Sequence, residues 1–335
     1  MKRRIALGFL IAAILLAVLV TLVGREQVFA DLSGANLQLI AVCLASGLLM
    51  LLCRGMVWVR FLRAIDETMS HVHVGGVFLS AMFIKYVTPY GQVATEPFVA
   101  YLVSRDAEMA YEDGLAGILS ADVLNYVPYY SFGFLAIGWI IANGALGADL
   151  HNYVIAFVGV FTALVTLSYI VVKRPKIVYW IVLGTVSLFQ RPVSRVASGL
   201  GAKLSPPAVR ERLDGFYGSV NLIAADRQLL VVATVYAHLG MLFLMLPIYV
   251  GALALGYQVA LPVVALAAAF GKLGAFVPAP GGLGGVEGFV TGALVILASL
   301  SPSAAFSVAL VYRVSTYWLT IVVGGVGAFF FVVRR

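Results

Sequence analysis

The sequence predicts an all-α polytopic membrane protein with about six full spans and two oppositely oriented re-entrant helical hairpins, arranged as an inverted repeat. Three observations carry that prediction. The 335 residues are 62% hydrophobic and only 11% charged, with a mean hydropathy of +1.02, which excludes a soluble domain. Long apolar runs follow one another along the chain and no stretch is polar enough for a separate soluble module, so residues 1–335 read as a single membrane domain. Two of the runs are interrupted by proline, glycine and a glutamate, and the two interruptions share a common spacing.

The sharper interruption is PAPGGLGGVEG, Pro278 to Gly288, set between apolar Leu261–Val277 and Phe289–Leu300. Backbone at bilayer depth must satisfy its own hydrogen bonds, so such a break is tolerated only where protein packs on it or water reaches it. Pro278 and Pro280 break the helix, and Gly281, Gly282 and Gly284 let the backbone turn through positive φ. Bare N–H groups at the start of the second half-helix would face an anion. Gly284, Gly288 and Gly292 also fall at i, i+4 and i+8, a small-residue face suited to a neighbouring helix. That face accounts for the glycines but not for Glu287.

From the N-terminus, Lys2-Arg3-Arg4 precedes a first span, Ile5 to Val23, longer than a signal-peptide core. A second span runs from Leu37 to Val59 and ends at basic Arg60 and Arg63. It holds both cysteines, Cys43 and Cys53, as reduced buried residues, because their separation on one helix rules out a bond. The first broken hairpin, 74–103, carries Lys85 and breaks at Thr88-Pro89-Tyr90-Gly91 before Glu96. Gly114 to Ile141 places Asp122, Asn125, Tyr126 and Tyr129 on one helix face, with a kink at Pro128. Tyr153 to Val172 is a further span. The apolar run Ile177–Phe189 is too short to cross and is basic at both ends, so 177–227 reads as a cytoplasmic interfacial connection. Gln228–Val250, the second broken hairpin (259–300) and Ser303–Val333 complete the chain.

On this layout eighteen of the 22 Lys and Arg lie on one side, Arg25 alone lies on the other, and Lys85, Lys272 and Arg313 are embedded. The positive-inside rule then puts both termini in the cytoplasm of a multi-pass cell-membrane protein. It also makes one hairpin enter from each side, which is the mark of an inverted repeat (37–141 and 228–333). Pro89 and Pro280, Gly91 and Gly282, and Glu96 and Glu287 are each 191 residues apart, and the same offset carries Asp122 onto Arg313 and Tyr126 onto Tyr317. Lys85 and Lys272 fall out of that register.

Three embedded cations therefore face three embedded carboxylates, Glu96, Asp122 and Glu287. A lone charge at such depth costs at least about 2.5–3.5 kcal/mol, so the six should pair or line a wet cavity. They are either ion pairs holding the repeats together or a midplane site. As a site, Arg313, Lys85 and Lys272 would take phosphate with Gly281, Gly282, Tyr126 and Tyr317 around it, and the carboxylates would balance charge or couple transport to protons. Pro89, Gly91, Pro278, Pro280 and Gly284 are the structural breaks.

The segment from PAPGGLGGVEG through Tyr312-Arg313 strongly resembles the flippase-like membrane family that includes the transmembrane region of lysylphosphatidylglycerol synthases. The first half agrees through Thr88-Pro89, Glu96-Pro97 and Ala100-Tyr101-Leu102, so the resemblance spans most of the chain. It implies translocation of an anionic or modified lipid, a phospholipid or a polyprenyl-phosphate-linked one, between leaflets. Membrane lipids are then the partners, with a separate synthase or glycosyltransferase beside them. A secondary transporter of a small solute, or a non-catalytic subunit of a lipid-modifying system, fits the same broken helices. The sequence does not read as an enzyme, having no phosphate-binding loop and no Asp-x-Asp metal pair, and no cofactor, structural metal or nucleic-acid partner is expected. His71-x-His73 reads as an interfacial pair and His238 as a hydrogen-bonded packing residue. A homo-oligomer stays open.

Overall fold

In the computed structural model, which describes residues 10, 14, 16–89, 91, 95–107, 109–143, 148–196 and 205–333, every regular element is helical. Most of the first expected span, the basic N-terminus and the last two arginines lie outside the described residues. The elements are α1 (Arg25–Ser33), α2 (Leu37–Ile65), α3 (His71–Val87), α4 (Glu96–Ala107), α5 (Tyr111–Ala142), α6 (Ala148–Lys173), α7 (Pro175–Val196), α8 (Pro206–Ala225), α9 (Arg227–Ala254), α10 (Leu261–Gly274) and α11 (Gly285–Ala298). Last comes α12 (Pro302–Arg313), which continues through a π-helical turn (Val314–Trp318) into α13 (Leu319–Ala328).

Local signals set most of the starts. Asn36, Ser70, Asp226 and Ser301 each cap a helix by accepting backbone N–H bonds at α2, α3, α9 and α12, and Pro302 occupies the first turn of α12. Apolar length does the rest. Four helical stretches, Leu37–Ile65, Arg227–Ala254, Pro280–Ala298 and Pro302–Phe331, are long and apolar enough to cross a membrane, and a bent pair over Val158–Lys173 and Pro175–Leu188 makes a fifth if counted as one span. The expected Gly114–Ile141 span falls within α5, which is 32 residues long and carries Asp122, Asn125 and Pro128, but it is not one of these four. Pro175 turns the chain by 87° between the arms of the bent pair, so the apolar run 177–189 lies almost at right angles to the preceding span. That run sits inside a longer helix, α7, which faces α8 through the stacked Tyr179 and Tyr217 rings, 5.7 Å apart, and the hydrogen bond donated by Tyr179 to Asp214 at 2.5 Å.

The core sits around α2 and α9, which pack along each other. Trp58, Val57 and Leu62 of α2 and Ala233 and Ile248 of α9 are at or near zero exposure. Cys43 and Cys53 are both buried and free. α3 lies on α13 while α10 lies on α5, and α4 packs on α5 while α11 packs on α12. One element start repeats at the spacing found in the sequence. Tyr111 and Pro302, which open α5 and α12, are 191 residues apart.

The second interruption is a folded hairpin. α10 has 14 residues, about 21 Å at 1.5 Å per residue, too short to span about 30 Å of hydrocarbon, and it packs directly against α11. In the first interruption α3 ends at Val87 and α4 begins at Glu96, with Tyr90 and 92–94 outside the described residues.

Candidate functional site

The second break explains its own glycines. Between α10 and α11 the chain makes a single 3-10 turn, Pro280–Gly282, in which Gly281 and Gly282 hold φ of +56° and +66°, and Gly284 follows at +81°. Non-glycine residues avoid that region, and a methyl at Gly281 would lie 2.0 Å from Cε2 of Tyr317. Tyr317 is fully buried on the π-helical turn. An extra residue in that turn shifts the facing of all that follows, which seats the ring on the break.

Glu287, 1% exposed, is tied on both carboxylate oxygens. Oε2 accepts from the Gly284 N–H at 2.8 Å, capping α11 from its third residue, and Oε1 accepts from Nε of Arg313 at 2.8 Å. A second Arg313 nitrogen donates to the Gly281 carbonyl at 2.9 Å, and the guanidinium lies 4.2 Å from the Tyr317 ring centroid. Arg313 thus pins the break to α12.

The first break is pinned differently. Lys85, near the end of α3, donates to Glu96 at 2.7 Å and to Asp122 at 2.6 Å, bridging the start of α4 to α5. The other Asp122 oxygen accepts from the Trp58 indole of α2 at 2.9 Å, and the Lys85 ammonium lies 5.3 Å from the centre of the Trp58 rings. Thr95 donates to the Gly91 carbonyl, and Gly91 backs so closely onto the Lys85 carbonyl that a Cβ there would sit 2.1 Å from it. One buried oxygen, Oε2 of Glu96, has no hydrogen-bond partner.

The two breaks meet. The Tyr86 and Tyr317 rings are 5.3 Å apart, and the Tyr317 hydroxyl donates toward the carbonyls of Pro280 at 3.3 Å and Tyr86 at 3.4 Å. Beside this junction a cavity of about 40 Å³ is lined by Arg54, Phe78, Met82, Lys85, Tyr86, Asp122, Asn125, Tyr126 and Lys272. Lys272 reaches it from α10, donating to the Tyr126 hydroxyl at 3.3 Å and covering the Tyr126 ring at 4.3 Å.

The expected residues therefore fall into two clusters. Lys85, Glu96, Asp122, Tyr126 and Lys272 gather around the cavity, whereas Glu287, Arg313, Gly281, Gly282 and Tyr317 lock the second break. The sequence layout grouped Arg54 with the peripheral basic residues. The structure places it inside α2, lining the cavity, with its guanidinium carbon 5.9 Å from the Tyr129 ring centroid. The signal was present, since Arg54 lies within the Leu37–Val59 run, six residues and about 9 Å of helix before Arg60.

The glycine face of α11 also differs from expectation. Gly288 and Gly292 meet no neighbouring atom within 4 Å of a built Cβ. With Phe270, Leu273 and Ile296 they line an apolar groove of about 540 Å³ instead of seating a helix. His238 is hydrogen-bonded at both ring nitrogens, to Ser131 at 3.0 Å and to the Thr234 carbonyl at 2.9 Å, and His71 lies against Arg63 at 2.8 Å.

Comparison with known proteins agrees with the resemblance drawn from the break motifs. A UPF0104 membrane protein from Methanothermobacter thermautotrophicus (strain Delta H) is 24% identical over 333 residues, covering 97% of this chain and 94% of that protein. No solved structure matches. The model of the lysylphosphatidylglycerol synthase TM region matches residues 5–324, and the chain belongs to that family.

Proposed function

We propose that the protein is a lipid flippase, carrying an anionic or modified lipid between leaflets as the headgroup passes the charged junction of two oppositely inserted hairpins. The acyl or polyprenyl chains stay in the bilayer. The observation that carries this reading is the meeting of the two breaks at Tyr86 and Tyr317, with a polar cavity beside them lined by Lys85, Asp122, Tyr126 and Lys272. Irregular backbone and charge at membrane depth are retained where they line a path for a polar group. Reciprocal packing, α3 on α13 and α10 on α5, supports a two-fold inverted arrangement of 37–141 and 228–333. Phosphate falls to Lys85, Lys272 and Arg313, and charge balance or proton coupling to Glu96, Asp122 and Glu287. Membership in a family named for the transmembrane region of a lipid-modifying synthase supports a non-catalytic role beside a separate synthase or glycosyltransferase. Both termini are assigned to the cytoplasm of the cell membrane on the basic-residue bias.

The test is leaflet transfer in proteoliposomes of headgroup-labelled phosphatidylglycerol, its aminoacyl ester and a polyprenyl phosphate. Transfer of one of these, lost in folded Glu287→Gln and Arg313→Ala proteins, is the expected result. Absence of transfer for all three by folded wild-type protein overturns the reading.

A further inference from the structure

Of the cations that line the junction cavity, Lys85 is held by two carboxylates, whereas Arg54 donates to none among the described residues. Both Asp122 oxygens are occupied, one by Trp58 and one by Lys85, and the oxygen of Glu96 that faces a cation is taken by Lys85 too. Among the described residues Arg54 forms no ion pair, and its recorded cationic contact is the face of Tyr129. A guanidinium held about three turns from the end of a membrane helix without a counter-ion is costly unless a water-filled cavity or an anion compensates it. Its stem passes close to α9, with Cγ 3.0 Å from where a Cβ on Gly240 would lie. The same cavity holds Lys272 and a buried acceptor without a donor, Oδ1 of Asn125. That asparagine is oriented by its own amide group, which donates to the Arg54 carbonyl at 3.4 Å.

We infer that Arg54 and Lys272 form a binding site for the phosphate of a hydroxyl-bearing phosphate ester, with Asn125 accepting a hydrogen bond from the ester's hydroxyl. Arg54, Lys85 and Lys272 line this cavity with Asp122, and Glu96 adds a second carboxylate through Lys85, so basic side chains outnumber carboxylates and favour an anion. Guanidinium supplies paired donors matched to phosphate oxygens, ammonium supplies a point charge, and the orphan amide oxygen supplies the one acceptor that a hydroxyl needs. In this structure the cavity holds space for about three water-sized groups, which the oxygens of a phosphate replace. Arg313 does not line this cavity, and in this structure its guanidinium holds Glu287 and Gly281 at the second break. The site rests on the flippase reading only for its lipid source, since the chemistry serves a free phosphate ester equally.

The experiment titrates purified protein in detergent with sn-glycerol 3-phosphate, reading the shift in melting temperature, with glycerol at equal concentration as control. In parallel it measures phosphatidylglycerol transfer in proteoliposomes. Stabilisation of the wild type by the phosphate ester, with half-maximal concentration raised about 10- to 100-fold in Arg54→Gln and less in Arg54→Lys, is expected from loss of charge-assisted bonds to one anion. Stabilisation that is unchanged in a folded Arg54→Gln overturns the site, as does no stabilisation of the wild type. Binding that depends on Arg54 without any lipid transfer retains the site for a soluble ester and removes the lipid reading alone. Should the Arg54 variants not fold, wild-type protein photolabelled with a headgroup-diazirine phosphatidylglycerol decides the matter. Adducts within 54–58, 122–129 or at Lys272 support the site, and adducts confined to 277–287 and Arg313 overturn it.

Discussion

Glu96 and Glu287, 191 residues apart, each lie in the first turn of the helix that follows a break and each accept from one buried cation, Glu96 from Lys85 at 2.7 Å and Glu287 from Arg313 at 2.8 Å. The cations come from different places. Arg313 lies 191 residues after Asp122, and in the second half it meets the glutamate directly. In the first half that position is acidic, and Lys85 is inserted between two carboxylates to neutralise them. Lys85 has no counterpart at the 191-residue offset, and the pair Asp122 and Arg313 at that offset carries opposite charges.

Breaking the second pair should be expensive and the cost should be cooperative. Arg313→Gln or Glu287→Gln leaves one buried charge unpaired, for which about 3–5 kcal/mol is typical. The double variant should cost less than the sum of the singles, because no charge is stranded in it. Unfolding transitions of the four proteins in one detergent complete the cycle, and additive losses would mean that the pair does not hold the break.

If Lys85 answers the charge inversion, it can be replaced by undoing the inversion. Lys85→Met should be severely destabilising, since Glu96 and Asp122 then face each other without a cation. Adding Asp122→Arg should recover part of that loss by recreating in the first half the glutamate–arginine pair of the second. A double variant less stable than Lys85→Met would refute the equivalence of the two positions.

The class, the breaks and the charged residues were legible in the sequence because membranes penalise polar groups so heavily that each one marks itself. What could not be read was partnership. Whether Glu287 meets Arg313, Lys85 or Lys272 depends on where three helices cross, and all three choices satisfy the same charge count. Arg54 was passed over because its neighbours Arg60 and Arg63 invite assignment to the interface, although its depth is a matter of counting residues. The α11 glycines were misread since a small-residue face looks alike whether a helix or an open groove lies against it.

The two kinds of glycine make a direct contrast. Gly281→Ala combines positive φ with a clash on the Tyr317 ring, and it should destabilise by more than the roughly 1–2 kcal/mol that φ alone imposes. Trimming the ring with Tyr317→Ala should not rescue it fully, since the φ cost persists. Gly288→Ala lies inside α11 facing open space and should instead stabilise by about 0.5–1 kcal/mol through helix propensity. Melting temperatures of the two alanine variants moving in the same direction would contradict this account.

Outside the spans, Asp31 of α1 ties two elements together, accepting from the Tyr257 hydroxyl in the α9–α10 loop at 3.1 Å and from Ser307 of α12 at 3.1 Å. Burial, then the hydrogen bond to Asp31 and its negative charge, pushes the Tyr257 phenol up from its usual value. A phenol raised in the folded state binds its proton more tightly there than in the unfolded chain. Its stabilising contribution is therefore complete below the ordinary tyrosine value of about 10 and is lost as the pH rises through that value toward the raised one. Tyr257→Phe should be less stable than wild type near neutral pH and should lose less further stability between about pH 9 and 11. Asp31→Ala should cost about 1–3 kcal/mol, since it removes the charged acceptor of the Tyr257 hydroxyl, whereas Ser307 keeps its bond to the Ser303 carbonyl at 2.9 Å. Parallel stability–pH curves for Tyr257→Phe and wild type would show that the phenol is not held by Asp31.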